Sequence, residues 1–455
     1  MGDEMTHKIM RTCQTVTVVV VWVFSSSVLA DNTNESAVLR AQHAYDQGQF
    51  QEVVNLVKPL LTAASTPSQA SRLHILALAS LGKTSEALEA YEKRIKVTKR
   101  EDEQLLRQTA IASILPLRFD MREQIRGAAY TALKEINSDN VVEHLEAGLS
   151  DGSGMIRALV AEALGKLDAG RRSKRFHESL KDEAGLVRAT VLIGLGQSGD
   201  GTMVSIVEPS LNDEQHLVQI AAARALYELG QKQYWARLEQ GATSEEGYER
   251  GAAIRAFGDL ADRRALPILE KTISDAQPSI RAAAIASLGK LKAPESLPTL
   301  KAALFDRISA VRSVAAFSMG YFEQQQVLNS LTRAMADSNP GVQAAAVASL
   351  LRVGAPYAVV KNIVHQLLND QNPAIRSGAV KAIGNGKGPD VVAHLKMALN
   401  DPLPRPRIVA VRALGRTGDR ALLPVLKGSL QDADEAVRVT AAASIVKILD
   451  KKIGI

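Results

Sequence analysis

Asp275-Ala-Gln-Pro-Ser-Ile-Arg-Ala-Ala-Ala-Ile-Ala-Ser-Leu-Gly289 reads as one short alanine-rich helix behind a capped turn. Its apolar residues fall at helical spacing, and its aspartate and arginine stand six residues apart. That pair recurs. Asp120/Arg126, Asp151/Arg157 and Asp182/Arg188 precede it, and Asp306/Arg312, Asp370/Arg376, Asp401/Arg407 and Asp432/Arg438 follow it. Two further copies put glutamine in the arginine slot, Asp213/Gln219 and Asp337/Gln343, and one keeps only the basic residue, Ser244/Arg250. From 120 onward the step is 31 residues, except for one step of 33 between Asp337 and Asp370. A fixed period of this kind marks stacked supersecondary units rather than one globular core.

The other slots of the unit follow helical logic. The residue before the arginine is β-branched and apolar in nine of the eleven copies, Glu249 and Pro406 being the exceptions. Eight residues later comes a large apolar residue, as in Leu133, Leu164, Phe257, Leu288, Met319 and Ile445, with alanine and valine between at helical spacing. Glycine follows in seven copies, from Gly165 and Gly196 to Gly415, where a helix C-cap would take a left-handed residue. Asn339-Pro340 and Asn372-Pro373 read as an N-cap with proline in the first turn.

A second amphipathic helix precedes each aspartate, as in Ala265-Leu-Pro-Ile-Leu-Glu-Lys-Thr-Ile273. The unit is therefore helix, turn with aspartate, helix. Over residues 101–455 it resembles the HEAT repeat, in the short bacterial form of the phycobilisome lyases. The resemblance implies a ladder of Asp–Arg contacts between successive units, weaker or re-routed at Gln219, Ser244 and Gln343, and a concave face lined by the second helix. Residues 31–100 carry a different period. Gly48 and Gly82, Val53 and Ala87, and Val57 and Tyr91 each stand 34 apart, which resembles the tetratricopeptide repeat. These pairs are expected to stack on a first HEAT-like helix at about 101–115 and cap the array, with Asp450-Lys-Lys452 closing its other end.

Residues 1–30 read as a cleaved secretion signal. Lys8 and Arg11 precede the apolar run from Val16 to Phe24, and Val28 and Ala30 place cleavage before Asp31. The run is too short for a span, which needs about 20 residues. The single cysteine, Cys13, lies inside this segment, so the mature chain needs no disulfide and offers no thiol chemistry. The expected location is the periplasm. With 55 basic and 49 acidic residues the surface is mixed rather than polycationic.

Candidate chemistry is thin. Gly194-Leu-Gly-Gln-Ser-Gly199 matches a dinucleotide fingerprint in letters, but it follows a helix at the repeat's turn, where structural glycines are the ordinary reading. The mature histidines are scattered, and His177-Glu178 is the sole His-Glu pair in that order. HEAT-like hydroxylases use several such pairs, so no metal, cofactor or catalytic residue is assigned. The densest basic run, Arg171, Arg172, Lys174 and Arg175, reads as a solvated loop with anionic lipid or glycan as the alternative contact. Aromatics are only 4% of the chain, against nucleic-acid binding, which needs stacking platforms. The fifth unit departs from the pattern: Tyr227, Tyr234, Trp235, Tyr248 and Phe257 gather there, Ser244 replaces the aspartate, and Glu249 fills an apolar slot. Tyr227, Tyr234, Trp235, Tyr248 and Glu249 are the candidate binding patch, with repacking of a core as the bland alternative. Phe305, Phe317, Tyr321 and Phe322 read as core.

The expected fold is an all-α, right-handed superhelix of about eleven helix pairs, extending on the order of 100 Å. The expected function is a non-enzymatic exported scaffold that binds protein partners along its concave face, not nucleic acid. The alternatives are a lyase or cofactor-attachment factor and an envelope polysaccharide or lipid binder.

Overall fold

The computed structural model describes residues 34–62 and 68–451. The segment read as a secretion signal and the last four residues lie outside the described residues. Among the described residues the regular structure is helical, with no strand. The chain divides into two compact units, with the boundary between Pro116 and Leu117.

The first unit holds α1 (34–46), α2 (Phe50–Val57), α3 (Ser68–Ser80), α4 (Thr84–Thr98) and α5 (Glu103–Ile114). Two tight turns repeat in it at the 34-residue offset. Gly48 and Gly82 take φ of 74° and 77°, and the amides of Gln49 and Lys83 reach back to Ala44 and Leu78. Only glycine adopts such φ without strain. The helix α5, expected to open the HEAT-like series and to receive the preceding helix pairs, packs on α3 and α4 within this first unit.

The second unit is built on eleven inner helices: α6 (Glu123–Ile136), α7 (Gly154–Leu164), α8 (Gly185–Gly196), α9 (His216–Glu228), α10 (Gly247–Leu260), α11 (Pro278–Leu291), α12 (Ser309–Met319), α13 (Pro340–Arg352), α14 (Pro373–Ile383), α15 (Pro404–Thr417) and α16 (Glu435–Asp450). Asn339 and Asn372 cap α13 and α14, each with proline in the first turn. An outer segment precedes each inner helix from α7 on, as Leu266–Thr272 precedes α11, and its α-helix is the shorter of the two except before α14, where Tyr357–Leu368 is one residue longer. Large apolar residues such as Leu133, Leu164, Phe257 and Leu288 are fully buried between the two layers.

Each inner helix packs on the next through the whole series, and α16 packs back on α6. The second unit is a closed ring. Its seam keeps the register of an ordinary joint. Between neighbouring units the Ser153 hydroxyl donates to Glu123 at 2.7 Å, joining a residue two after one aspartate to a residue three after the previous one. Across the seam Arg122 donates to Glu435 at 2.6 Å in the same register. The expectation of an open, extended array with a capped end is therefore corrected: α16 is an inner wall element, and Val446, which replaces the glycine, is fully buried. Eleven axes spaced about 8–10 Å apart lie on a circle about 28–36 Å across, which less a half-width on each side of helices about 10–12 Å thick leaves a lumen roughly 16–25 Å wide.

The seven glycines explain the curvature, though not as C-caps. None has positive φ. A Cβ on Gly258, Gly289, Gly320 or Gly415 would stand 2.4–2.7 Å from the serine of the next inner helix, respectively Ser287, Ser318, Ser349 and Ser444. Gly165 faces Gly194, and Gly196 faces Ala225, at similar closeness. Ser287, Ser349 and Ser444 also donate across this contact to carbonyls of the preceding inner helix, at 2.9, 3.2 and 3.2 Å. Small residues let the inner layer close up more than the outer, which wedges the units into a ring. Gly378 differs: it is helical, and nothing lies within 4 Å of its Cβ position. Gly289→Val should destabilise the ring by about 1–3 kcal/mol through overpacking, whereas Gly378→Ala should stabilise it by about 0.4–1 kcal/mol. Thermal melting followed by circular dichroism checks both signs.

Candidate functional site

Every inner helix buries three sides, against its outer segment and its two neighbours, and leaves one stripe for the lumen. The stripe falls 4, 8, 11 and 15 residues after each repeat aspartate. In α7 it is Met155, Leu159, Glu162 and Lys166; in α8 it is Leu186, Thr190, Ile193 and Gln197. A groove of about 900 Å³ runs along these stripes from α6 to α10, from Gln124 and Thr131 through Met155 and Leu186 to Arg224 and Asp259. Met155 and Leu186 are exposed there. A polar cluster bounds the groove. Arg224 donates to Asp259 at 2.6 Å and to Glu228 at 3.4 Å, and Lys290 donates to Asp259 at 2.5 Å. Burial pushes the Glu228 carboxyl up.

Along one rim runs the Asp–Arg ladder. Arg157 donates from Nε and Nη2 to the Asp182 carboxylate at 2.7 and 2.8 Å, and from Nη1 to the Asp151 carbonyl at 2.9 Å. Asp182 also accepts the Ala184 amide, which fixes the turn before α8. The arrangement repeats for Arg126–Asp151, Arg188–Asp213, Arg250–Asp275, Arg281–Asp306, Arg312–Asp337, Arg376–Asp401 and Arg407–Asp432. Such bidentate, charge-assisted pairs are among the stronger hydrogen bonds. At the seam Arg122 holds both Asp120 and Glu435, while Arg438 bonds the carbonyls of its own turn. Asp370 faces Gln343, which bonds only the Asp337 carbonyl.

The fifth unit re-routes the ladder. Gln219 bonds its own turn and accepts from Arg237 at 2.9 Å. Arg237 then pairs with Glu249 at 2.7 Å, and Ser244 donates to the same carboxylate. Burial would raise the Glu249 carboxyl, but the bonds from Ser244 and Arg237 outweigh it and hold it below the usual range. Glu249 thus supplies the anion that Ser244 lacks.

The candidate aromatic patch divides. Trp235 and Tyr227 are buried, which corrects the reading of them as an open binding surface. Trp235 lies 4.8 Å from Phe257 and 5.5 Å from Tyr227, under the Arg264 guanidinium, and its indole donates to Glu239. Tyr227 donates to Asp262 and accepts from Arg264. Tyr234 is half-buried and bonds Glu208. Tyr248 alone is open, at 91% exposure, in the lumen position that Met155 and Leu186 occupy in their units. Phe305, read as core, is 82% exposed; Phe322 is buried, and Phe317 and Tyr321 are half-open in a T-shaped pair.

The basic run also divides. Its residues form two short helical pieces rather than a loop, Asp168–Arg171 and Lys174–Glu178. Arg171 turns inward to the Gly165 carbonyl and Asp168, while Arg172, Lys174 and Arg175 are exposed. In the Gly194–Gly199 segment, Gly194 and Gly196 are helical contact points and only Gly199 takes positive φ, at a turn. Among the described residues no group of three or more His, Cys, Asp or Glu side chains is placed to hold a metal ion, and no helix is long and apolar enough to cross a membrane.

The lumen stripe was missed in the sequence. Its signal was present: Met155, Leu186, Leu217 and Tyr248 fill the same slot in four successive units, where the next four hold Ser279, Ala310, Gly341 and Ala374.

Three overlapping or separate segments, residues 173–250, 235–310 and 397–452, match the family of HEAT repeats. The chain carries HEAT repeats. No curated protein matches the sequence. Similar solved structures include human deoxyhypusine hydroxylase, 19% identical with a TM-score of 0.30 over 57% of this chain and 98% of that one. The complex of CpcE and CpcF of phycocyanin lyase from Nostoc is 18% identical, with a TM-score of 0.28 over 66% and 93%. A Kap121p mutant is 17% identical, with a TM-score of 0.36 over 88% and 53%.

The HEAT ladder yields two predictions. Asp306→Ala leaves Arg281 without its carboxylate and should cost on the order of 2 kcal/mol; Gln343→Arg gives Asp370 the missing guanidinium and should add roughly 1 kcal/mol. Denaturant titration reads both. Hydrogen bonds from Arg281, Arg312 and Arg376 hold Asp306, Asp337 and Asp401 below the usual aspartate range. These groups bind protons less readily folded than unfolded, so their contribution is complete above about pH 4 and is lost as pH falls through the folded values. Melting temperature should hold from about pH 7 to 5 and drop below about pH 4.

Proposed function

We propose that the protein is a non-enzymatic exported scaffold that binds protein partners on the inner wall of its HEAT ring. The carrying observation is the groove across α6 to α10, where exposed Met155 and Leu186 sit among polar residues on one continuous surface. An exposed apolar strip rimmed by polar groups is the usual mark of a protein contact. The rigid ladder and the tight inner-helix joints suit a framework that holds a partner without remodelling. The expected secretion signal and a mature chain without cysteine fit a periplasmic setting, and the first unit's helix pairs resemble the tetratricopeptide interaction module.

A photo-crosslinking residue at position 186, inside the ring, should give discrete protein adducts in cells. The same residue at position 271, on an outer helix, should give none of them. Adducts at both positions alike, or at neither, overturn the inner-wall reading. Intact-mass measurement of the protein recovered from cells should show a chain beginning at Asp31; retention of residues 1–30 overturns export by cleavage.

A further inference from the structure

We infer that the guest of the ring is an amphipathic helical segment with one acidic face and one apolar face, seated in the lumen. This rests on the inner-wall reading above and specifies its partner.

The inner wall is electrically uneven. On the stripes of α13 to α16 the charged residues are Arg352, Lys381, Arg405, Arg412, Arg416 and Lys447, with no aspartate or glutamate in any stripe position of those four helices. Arg412 reaches past α16, where Ala443 is small, to pair with Glu135 on α6 at 2.5 Å. That reach across a whole unit places its guanidinium on the lumen side. Arg352 lies over Phe317 and Tyr321 at 4.1 and 5.1 Å from their centroids, and its buried Nη1 has no hydrogen-bond partner. Lys381, Arg405, Arg416 and Lys447 are exposed.

Half a ring away, on α7 to α10, the wall changes character. Met155, Leu186 and Tyr248 are exposed at 67%, 43% and 91%. The stripe charges of this wall balance: Glu162 pairs with Lys134 and Lys166, Glu228 with Arg224, and Asp259 with Arg224 and Lys290. A guest in the lumen meets a cationic wall and, opposite it, an apolar wall whose flanking charges are paired with one another.

These two walls select the occupant. A lumen roughly 16–25 Å wide admits a helix about 10–12 Å across and excludes a 100-residue folded domain, which at a radius of gyration of about 13 Å is more than about 26 Å across. A single-stranded nucleic acid carries charge all round, so it would set phosphates against the exposed apolar Met155 and Leu186 without a cation in return. Phe317 and Tyr321, the aromatics beside the cationic arc, are already stacked under Arg352. An acidic face on Lys381 and Lys447, with an apolar face on Met155 and Leu186, satisfies both walls.

The test uses the full mature chain and a fluorescein-labelled peptide of about 20 residues, some 30 Å as a helix, with glutamate on one face and leucine on the other. Anisotropy should report binding with Kd on the order of 10 μM, weakened by salt because part of the contact is between exposed charges. A permuted peptide of identical composition and a single-stranded oligonucleotide of matching length should bind at least about tenfold more weakly. Lys381→Glu with Lys447→Glu, and separately Met155→Glu with Leu186→Glu, should each weaken the patterned peptide by about tenfold or more; Lys271→Glu, on an outer helix, should not. Unchanged circular dichroism and melting temperature establish that the variants are folded. Equal binding of the permuted peptide or the oligonucleotide, no binding of the patterned peptide, or insensitivity to either double variant overturns the inference. Should position 186 still cross-link to protein in that event, the inner-wall reading stands and only the acidic helix falls.

Discussion

Everything in the second unit depends on how closely its inner helices approach. At seven joints a glycine removes the Cβ that would collide with a serine, alanine or glycine of the next helix. Close-packed glycines of the outer segments, such as Gly148 and Gly241, face inner helices rather than the next outer segment, so each unit is a wedge. Eleven wedges share a full turn, about 33° each, and the curvature of a repeat array follows from that small rotation. Closure then follows from the number of units and the wedge angle together.

The Asp–Arg ladder fixes what the glycines leave free. Close packing of small residues permits sliding along the helix axis, because a shallow surface has few interlocking features. The arginine removes that freedom. It grips its own turn through a carbonyl and the next turn through a carboxylate, while that carboxylate holds the turn's amide. One side chain therefore ties the entry angle of one inner helix to the position of the next. Where the pair is lost, the chain compensates by a different path. Glu249 supplies the anion that Ser244 lacks from five residues further on, and in the same unit Trp235 packs with Phe257 and Tyr227.

The repeat, the helix pairing and the ladder were legible because each is a spacing rule, and spacing survives in one dimension. The reason for the glycines was not. A glycine after the last apolar residue of a helix looks the same whether it turns the chain or lets another helix approach, and only the φ of Gly289 or Gly415 separates the two. Ring closure was also hidden. It depends on a rotation per unit that no single repeat displays, and the last unit's Val446 and polar finish resemble an end cap. The aromatic cluster failed for another reason: Trp235 serves burial and hydrogen bonding together, and residue type alone does not tell a core of that kind from a surface.

Closure alters the energetics as well as the shape. In an open array the terminal units have one neighbour each, so opening begins there at little cost. In the ring each unit has two neighbours, and the first to detach must break two helix interfaces. At the seam it must also part Arg122 from Glu435 and Arg412 from Glu135. Local opening is thereby pushed toward the cost of global unfolding, and the lumen keeps a nearly constant width. A partner cannot widen it by straightening the array, as it could an open superhelix. Selection must act through cross-section and the charge pattern on the wall, which is why unequal walls on opposite sides of the ring carry more meaning here than the same residues would on a flexible solenoid.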